Sequence, residues 1–178
     1  ILPETAIIAL AERVQRLGGF VSYRHNPDGS QTPYELNINY LDALGDPDAP
    51  HEDTQLMGKR FLVAQAIMLA LRGVPGLYFH SLFGSRGWLE GVKVSGRNRT
   101  INRQKLQREQ LEAELADLLG LRHTIFSGFL NLLQQRRTHP AFHPHGGQKL
   151  LDIHPALLAV LRSSPDGRTS ILCLQNVS

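Results

Sequence analysis

The sequence predicts an α/β fold that gives way to a small antiparallel β region, and three observations carry that expectation. First, a short apolar and aromatic run, Leu77-Tyr78-Phe79, is bracketed by Pro75-Gly76 before it and Gly84 after it. Its length and flanking breakers read as a buried strand over Gly76–Phe79. Second, a helix with apolar residues on most faces precedes that run, and a polar, arginine-rich loop follows it, which is one repeat of an α/β barrel or doubly wound sheet. Third, the pattern changes after Pro144 to short strand-like runs broken by turn residues. In α/β folds the chemistry sits where strands end, so the residues beyond Ser81 are the first place to look.

In chain order, Ile7, Leu10, Ala11, Val14 and Leu17 recur at helical spacing behind Pro3, and Gly18-Gly19 stops that helix. Phe20–Arg24 and the run around Tyr34–Ile38 read as two strands joined by the turn residues Asn26-Pro27-Asp28-Gly29-Ser30. Tyr40–Leu44 suggests a helical turn, and Asp46–Pro50 a loop. A long helix begins at Asp53-Thr54 and runs to Arg72, with Phe61, Ala64, Ile67, Met68 and Leu71 as its apolar stripe. Beyond the arginine-rich loop, Leu106, Leu111, Leu115 and Leu118 mark an exposed amphipathic helix. Leu121, Ile125, Phe129 and Leu132 mark another, closed by Arg136-Arg137 and Pro140. Lys149–Ile153, Ala156–Leu161 and Ser170–Leu174 are the last short strands, the turn Ser164–Gly167 lying between the final two.

Composition excludes several classes. With 178 residues, 42% of them apolar, the chain is large enough for a real core. A net charge of +3 without a basic block argues against nucleic acid, and the most apolar stretch, Phe61–Leu71, is too short to span a bilayer. Cys173 is the lone cysteine, so a reducing, cytoplasmic setting is expected, and it reads most simply as a buried strand residue. The opening Ile1-Leu2-Pro3-Glu4 has no initiator Met and reads as cut from something longer.

The sharpest chemical signal is Gly96-Arg97-Asn98-Arg99-Thr100-Ile101-Asn102-Arg103. Arginines on a loop offer fork-shaped donors that match phosphate or carboxylate. The competing reading is a solvated loop whose arginines pair with surface carboxylates. Tyr34-Glu35 is the second candidate, a phenol and a carboxylate able to hydrogen-bond sugar hydroxyls from a lid-like excursion, against ordinary strand residues as the plainer account. His139, His143 and His145 are split by Pro140 and Pro144 without zinc-site spacing and read as a junction loop, so neither metal nor other cofactor is expected. His80 reads as a hydrogen-bonded core histidine rather than a base.

Together, Tyr34–Asn39, Gly73–Arg86, Gly96–Arg103 and His139–Phe142 resemble the sucrose phosphorylase group of the α-amylase superfamily along essentially the whole chain. The resemblance implies the C-terminal part of a (β/α)8 barrel, helix-rich with few strands, plus the start of a C-terminal antiparallel β domain. It divides the chain into an insertion after the seventh barrel strand (1–50), the last barrel units with the acceptor loop (51–143) and the opening of the β domain (144–178). It further implies a retaining glycosyl phosphorylase that moves a glucosyl unit from an α-glucoside to inorganic phosphate. The catalytic Asp, Glu and third carboxylate are expected upstream, on strands this chain does not contain, so alone it should be inactive. By position in the motif, Arg99 resembles the phosphate-contacting arginine, with Arg97 as helper, and Tyr34 the acceptor-loop tyrosine. Glu35 departs from the Gln that follows this Tyr in sucrose phosphorylases. That departure points toward the glucosylglycerate phosphorylase branch, where Arg97 or Arg24 would welcome an anionic acceptor. Sucrose or sucrose 6′-phosphate as substrate, a hydrolase or transglucosylase of the superfamily, and a non-enzymatic helical domain are the alternatives. The partners implied are the rest of its own barrel and small molecules, with neither nucleic acid nor membrane and with homo-oligomerisation open. The partial barrel should also leave an apolar face exposed.

Overall fold

The computed structural model describes residues 2–49 and 53–178. The ends of two expected features, the cut start at Ile1 and the loop and segment boundary at residues 50–52, lie outside the described residues. The chain opens with α1 (Glu4–Arg16), an antiparallel hairpin of β1 (Phe20–His25) and β2 (Gln31–Asn37), and the short α2 (Tyr40–Ala43). Then come α3 (Thr54–Ala70), α4 (Phe79–Leu82), α5 (Leu89–Ser95), a 3-10 turn over Asn98–Asn102, α6 (Arg108–Ala116) and α7 (Leu121–Thr138). A second 3-10 turn, Pro140–Phe142, leads to the antiparallel sheet β3 (Gly147–Leu151), β4 (Leu157–Ser163) and β5 (Ser170–Asn176), with β4 in the middle.

Local chemistry accounts for most of these limits. The Asp53 carboxylate accepts from the Gln55 amide at 2.9 Å and starts α3, and Asn39 caps α2 in the same way through the Leu41 amide. In the hairpin turn Asp28 accepts from both the amide and the hydroxyl of Ser30. The core sits where α3 crosses α7: Phe61, Ile125 and Leu41 are fully buried, with Met57, Leu44 and Leu121 packed around them. The C-terminus of α3 is capped by two guanidinium groups from distant elements. Arg136 of α7 donates to the carbonyls of Leu69, Leu71 and Gly73, and Arg162 of β4 to that of Ala70 at 2.9 Å. Positive charge there opposes the negative end of the helix dipole and satisfies carbonyls left without helical partners.

Two expectations need correction. The buried strand over Gly76–Phe79 is not formed: residues 74–78 carry no regular secondary structure, and Phe79 opens α4. Val74 is 83% exposed and Tyr78 and Phe79 each 52%. An extended segment becomes a strand by pairing, and among the described residues both sheets are antiparallel and formed elsewhere. The same stretch leaves Val74, Leu77, Tyr78 and Phe79 exposed. Second, α3 buries Met57, Phe61, Gln65 and Leu69, whereas Ala64, Ile67 and Met68 are half-buried and Leu71 is exposed. On a helix apolar nearly all round, the packing partner α7 selects the buried face. Among the described residues no helix is long and apolar enough to cross a membrane.

Candidate anion-binding cleft

A cleft of about 630 Å3 opens between the β1–β2 hairpin and the arginine loop. The loop is shaped first by its own backbone. Helix α5 ends at Gly96 in the left-handed region (φ 64°), which a residue with a Cβ enters only at a cost. The Ser95 hydroxyl bonds the Gly91 carbonyl at 2.7 Å and meets the Thr100 hydroxyl at 2.8 Å, pinning the two ends of the turn.

Longer bonds then fix the loop against the rest of the chain. The Trp88 amide donates to the Ile101 carbonyl at 2.9 Å, with the Ile101 side chain buried beneath. The Asn102 amide group donates to the Ile38 carbonyl at 3.1 Å, and the Tyr78 hydroxyl donates to the Asn102 carbonyl at 2.5 Å. Asp42 holds the approach to the loop by accepting from the Gly87 amide at 2.6 Å and from Arg86 Nε. Thus the hairpin end, the exposed aromatic stretch and α2 all anchor one arginine-bearing turn.

Arg97, Arg99 and Arg103 line the cleft from this turn, and Glu35 and Ser22 from the hairpin. Arg99 Nε donates to Glu35 Oε2 at 3.0 Å, across 64 residues of sequence. The hydrogen bond to Glu35 and then its charge raise the Arg99 pKa above its usual range. The guanidinium groups of Arg97 and Arg103 make no ion pair among the described residues, so three cations face one carboxylate and an anion entering the cleft meets net positive charge.

The register of the hairpin explains Tyr34. Ser22 pairs with Glu35 and Tyr23 with Pro33, leaving Tyr34 as the extra residue of a β-bulge. Bulges re-aim side chains, and here Tyr34 stands 66% exposed and outside the lining of the cleft. Its neighbour Glu35 faces in.

Of the residues singled out from sequence, Arg97, Arg99 and Glu35 therefore share one cleft, Tyr34 flanks it, and Arg24 pairs with Thr32 further along the hairpin without lining it. Ser22 and Arg103 were missed as lining residues. Arg103 lay in the same Arg-Thr-Ile-Asn-Arg run, and Ser22 was readable only from the strand register. Two histidines of the junction cap turns: His139 Nδ1 accepts from the Ala141 amide at 3.3 Å and His143 Nδ1 from that of His145 at 3.2 Å. His80 is a buried, hydrogen-bonded core residue as expected, its Nδ1 3.0 Å from the Ser85 hydroxyl. Burial, and then the nearby charge of Arg122, hold its pKa below the usual 6.5. Cys173 lies on a strand as expected, β5, but is half-buried rather than buried.

A helical layer whose arginine turn faces a hairpin, followed by an antiparallel sheet, is consistent with the C-terminal part of a barrel and the start of a β domain. The same fold occurs in the crystal structure of sucrose 6F-phosphate phosphorylase from Thermoanaerobacter thermosaccharolyticum. The match has a TM-score of 0.78 at 18% identity and covers 99% of this chain and 32% of that one. No family model matches the chain. Among curated relatives, the glucosylglycerate phosphorylase of Spirochaeta thermophila is 48% identical over 178 residues, all of this chain and 30% of the relative. The glucosylglycerate phosphorylase of Escherichia coli K12 is 38% identical over 167 residues, 94% of this chain and 29% of the relative. The chain is thus a homologue of the phosphorylases its motifs resemble, and it spans about 30% of their length.

Proposed function

We propose that this chain is the acceptor-side segment of a retaining glycosyl phosphorylase that moves a glucosyl unit from an α-glucoside to inorganic phosphate, giving α-glucose 1-phosphate. One observation carries this reading: Arg97, Arg99 and Arg103 converge on a single cleft with a surplus of positive charge. A dianionic nucleophile must be brought to a reacting carbon against the repulsion of nearby carboxylates, and fixed guanidinium groups offset that repulsion. In the retaining scheme a carboxylate outside this chain forms a β-glucosyl ester while an acid protonates the leaving oxygen. A phosphate oxygen then attacks the anomeric carbon, the ester C–O bond breaks and the carboxylate leaves as an anion. The role of this chain is to hold the phosphate: Arg99 as the main contact, Arg97 as helper, with the Tyr34 hydroxyl at the cleft edge for the departing acceptor.

In this reading residues 1–50 are an insertion after the seventh barrel strand, 51–143 the last barrel units and 144–178 the start of the β domain. The enzyme works in the cytoplasm on small molecules without nucleic acid or membrane, and homo-oligomerisation is open. Glycerate is the favoured acceptor. Arg97 has a guanidinium free among the described residues to take a carboxylate, and the relatives at 48% and 38% identity carry that specificity in their names. In the full-length protein carrying this segment, glucosylglycerate with phosphate should release glucose 1-phosphate. Arg99→Ala should lower kcat/KM for phosphorolysis about 10- to 100-fold, the scale of a lost charge-assisted contact, and leave hydrolysis far less affected. Equal loss in both reactions would count against the role of Arg99, and absence of glucose 1-phosphate from glucosylglycerate or sucrose against the whole reading.

A further inference from the structure

Arg99 is not empty-handed in the cleft. Its Nε meets Glu35 Oε2 at 3.0 Å, and no second contact joins the pair, so the terminal nitrogens of the guanidinium are left without a partner among the described residues. Side-chain exposure is 55% for Arg99 and 33% for Glu35. A one-point, solvent-accessible ion pair is weak and open to exchange. Glu35 itself is held firmly from behind. Its backbone pairs with Ser22 next to the bulge, and its carbonyl accepts from the Asn37 side chain, which also bonds the Ser22 hydroxyl at 3.0 Å. The carboxylate is therefore tethered at the site where an oxyanion bound to Arg99 would sit.

We propose that Glu35 is a resident anion, which occupies Arg99 while the cleft is empty and yields it to an incoming phosphate, thereby setting how tightly phosphate is held. The inference rests on the reading of Arg99 as the phosphate-receiving group. Two effects of Glu35 act in the same direction. It competes for the Nε–H of Arg99, and its charge repels a dianion beside it. Loose binding serves turnover, because phosphate leaves as part of the product and the site must reset. The displaced carboxylate supplies the reset by taking the guanidinium back.

The test is steady-state kinetics of the full-length protein with inorganic phosphate as the varied substrate, for wild type, Glu35→Gln and Arg99→Ala. Glu35→Gln should lower KM for phosphate about 3- to 10-fold while kcat changes much less, a split that general loosening of the hairpin would not produce. An unchanged or raised KM overturns the inference, and if Arg99→Ala still impairs phosphorolysis selectively, the functional reading survives it. Loss of that selective Arg99→Ala effect overturns both. Should Glu35→Gln fold poorly, a phosphate-soaked crystal of the wild type decides the matter. Arg99 turned from Glu35 onto phosphate is the expected result, and phosphate bound in the cleft with the Arg99–Glu35 pair intact overturns the proposal.

Discussion

Replacing Arg162 by Met should be among the most destabilising single changes in this chain. The side chain is fully buried and donates to three carbonyls: Gly147 through Nε at 3.0 Å, Ala70 at 2.9 Å and His143 at 3.1 Å. It thereby ties the end of α3, the junction after α7 and the first residue of β3 to the central strand of the sheet. Its guanidinium carbon also lies 5.9 Å from the Phe142 ring centre. Met fills similar space but leaves the Ala70 carbonyl buried without that partner, at about 1–3 kcal/mol, while the other two carbonyls can partly recover water. Burial also costs the charged group something, and it pulls the Arg162 pKa down. The balance is a loss of about 2–3 kcal/mol, enough to lower Tm by roughly 5–10 °C in a chain of this size. Urea unfolding followed by circular dichroism measures it, with Arg108→Met as the comparison. Arg108 is 83% exposed in an i,i+4 pair with Glu112, so that change should cost under about 0.5 kcal/mol. If Arg162→Met came within about 1 kcal/mol of wild type, the three-carbonyl clamp would be refuted.

His80 gives a pH dependence with a defined sign. Its folded pKa lies below the unfolded value of about 6.5, so the unfolded state takes up more protons as the pH drops. The contribution to stability is whole above pH 6.5 and shrinks as pH falls through the folded pKa, with a slope of at most about 1.4 kcal/mol per pH unit. Unfolding curves between pH 7.5 and 5 should show His80→Asn losing less stability than wild type over that interval; a parallel loss in both would contradict the assignment. Gly91→Ala should disturb the arginine loop from behind. A Cβ at Gly91 would sit 2.2 Å from a Trp88 ring carbon, and the Trp88 backbone amide bonds the loop at Ile101. A loss of about 1–3 kcal/mol and a shift in the emission of this sole tryptophan are expected, and an unchanged spectrum would deny the contact.

The hairpin was legible because Asn26–Ser30 supplies turn chemistry between two alternating runs, and α7 because Leu121, Ile125 and Phe129 repeat at helical spacing. The last three strands were readable in the same way. The arginine loop stood out by composition alone. Tyr34 was harder: alternation fixes which face a strand residue takes until a bulge inserts one residue, and the bulge depends on the pairing with Ser22 and Tyr23. The run over Gly76–Phe79 has the composition of a buried strand, but pairing partners make a strand, and they are not written into the run itself.

Local order in this protein, its helix starts, turn chemistry and clustered arginines, was determined by the sequence by itself, because each depends on residues within a few positions of one another. Tertiary structure alone decided which face of α3 is buried, that Arg162 closes the end of that helix from 92 residues away, and that Glu35 meets Arg99. Those outcomes depend on where distant segments come to rest, and charge–charge and charge–carbonyl contacts are too short-ranged to be read before the chain has folded.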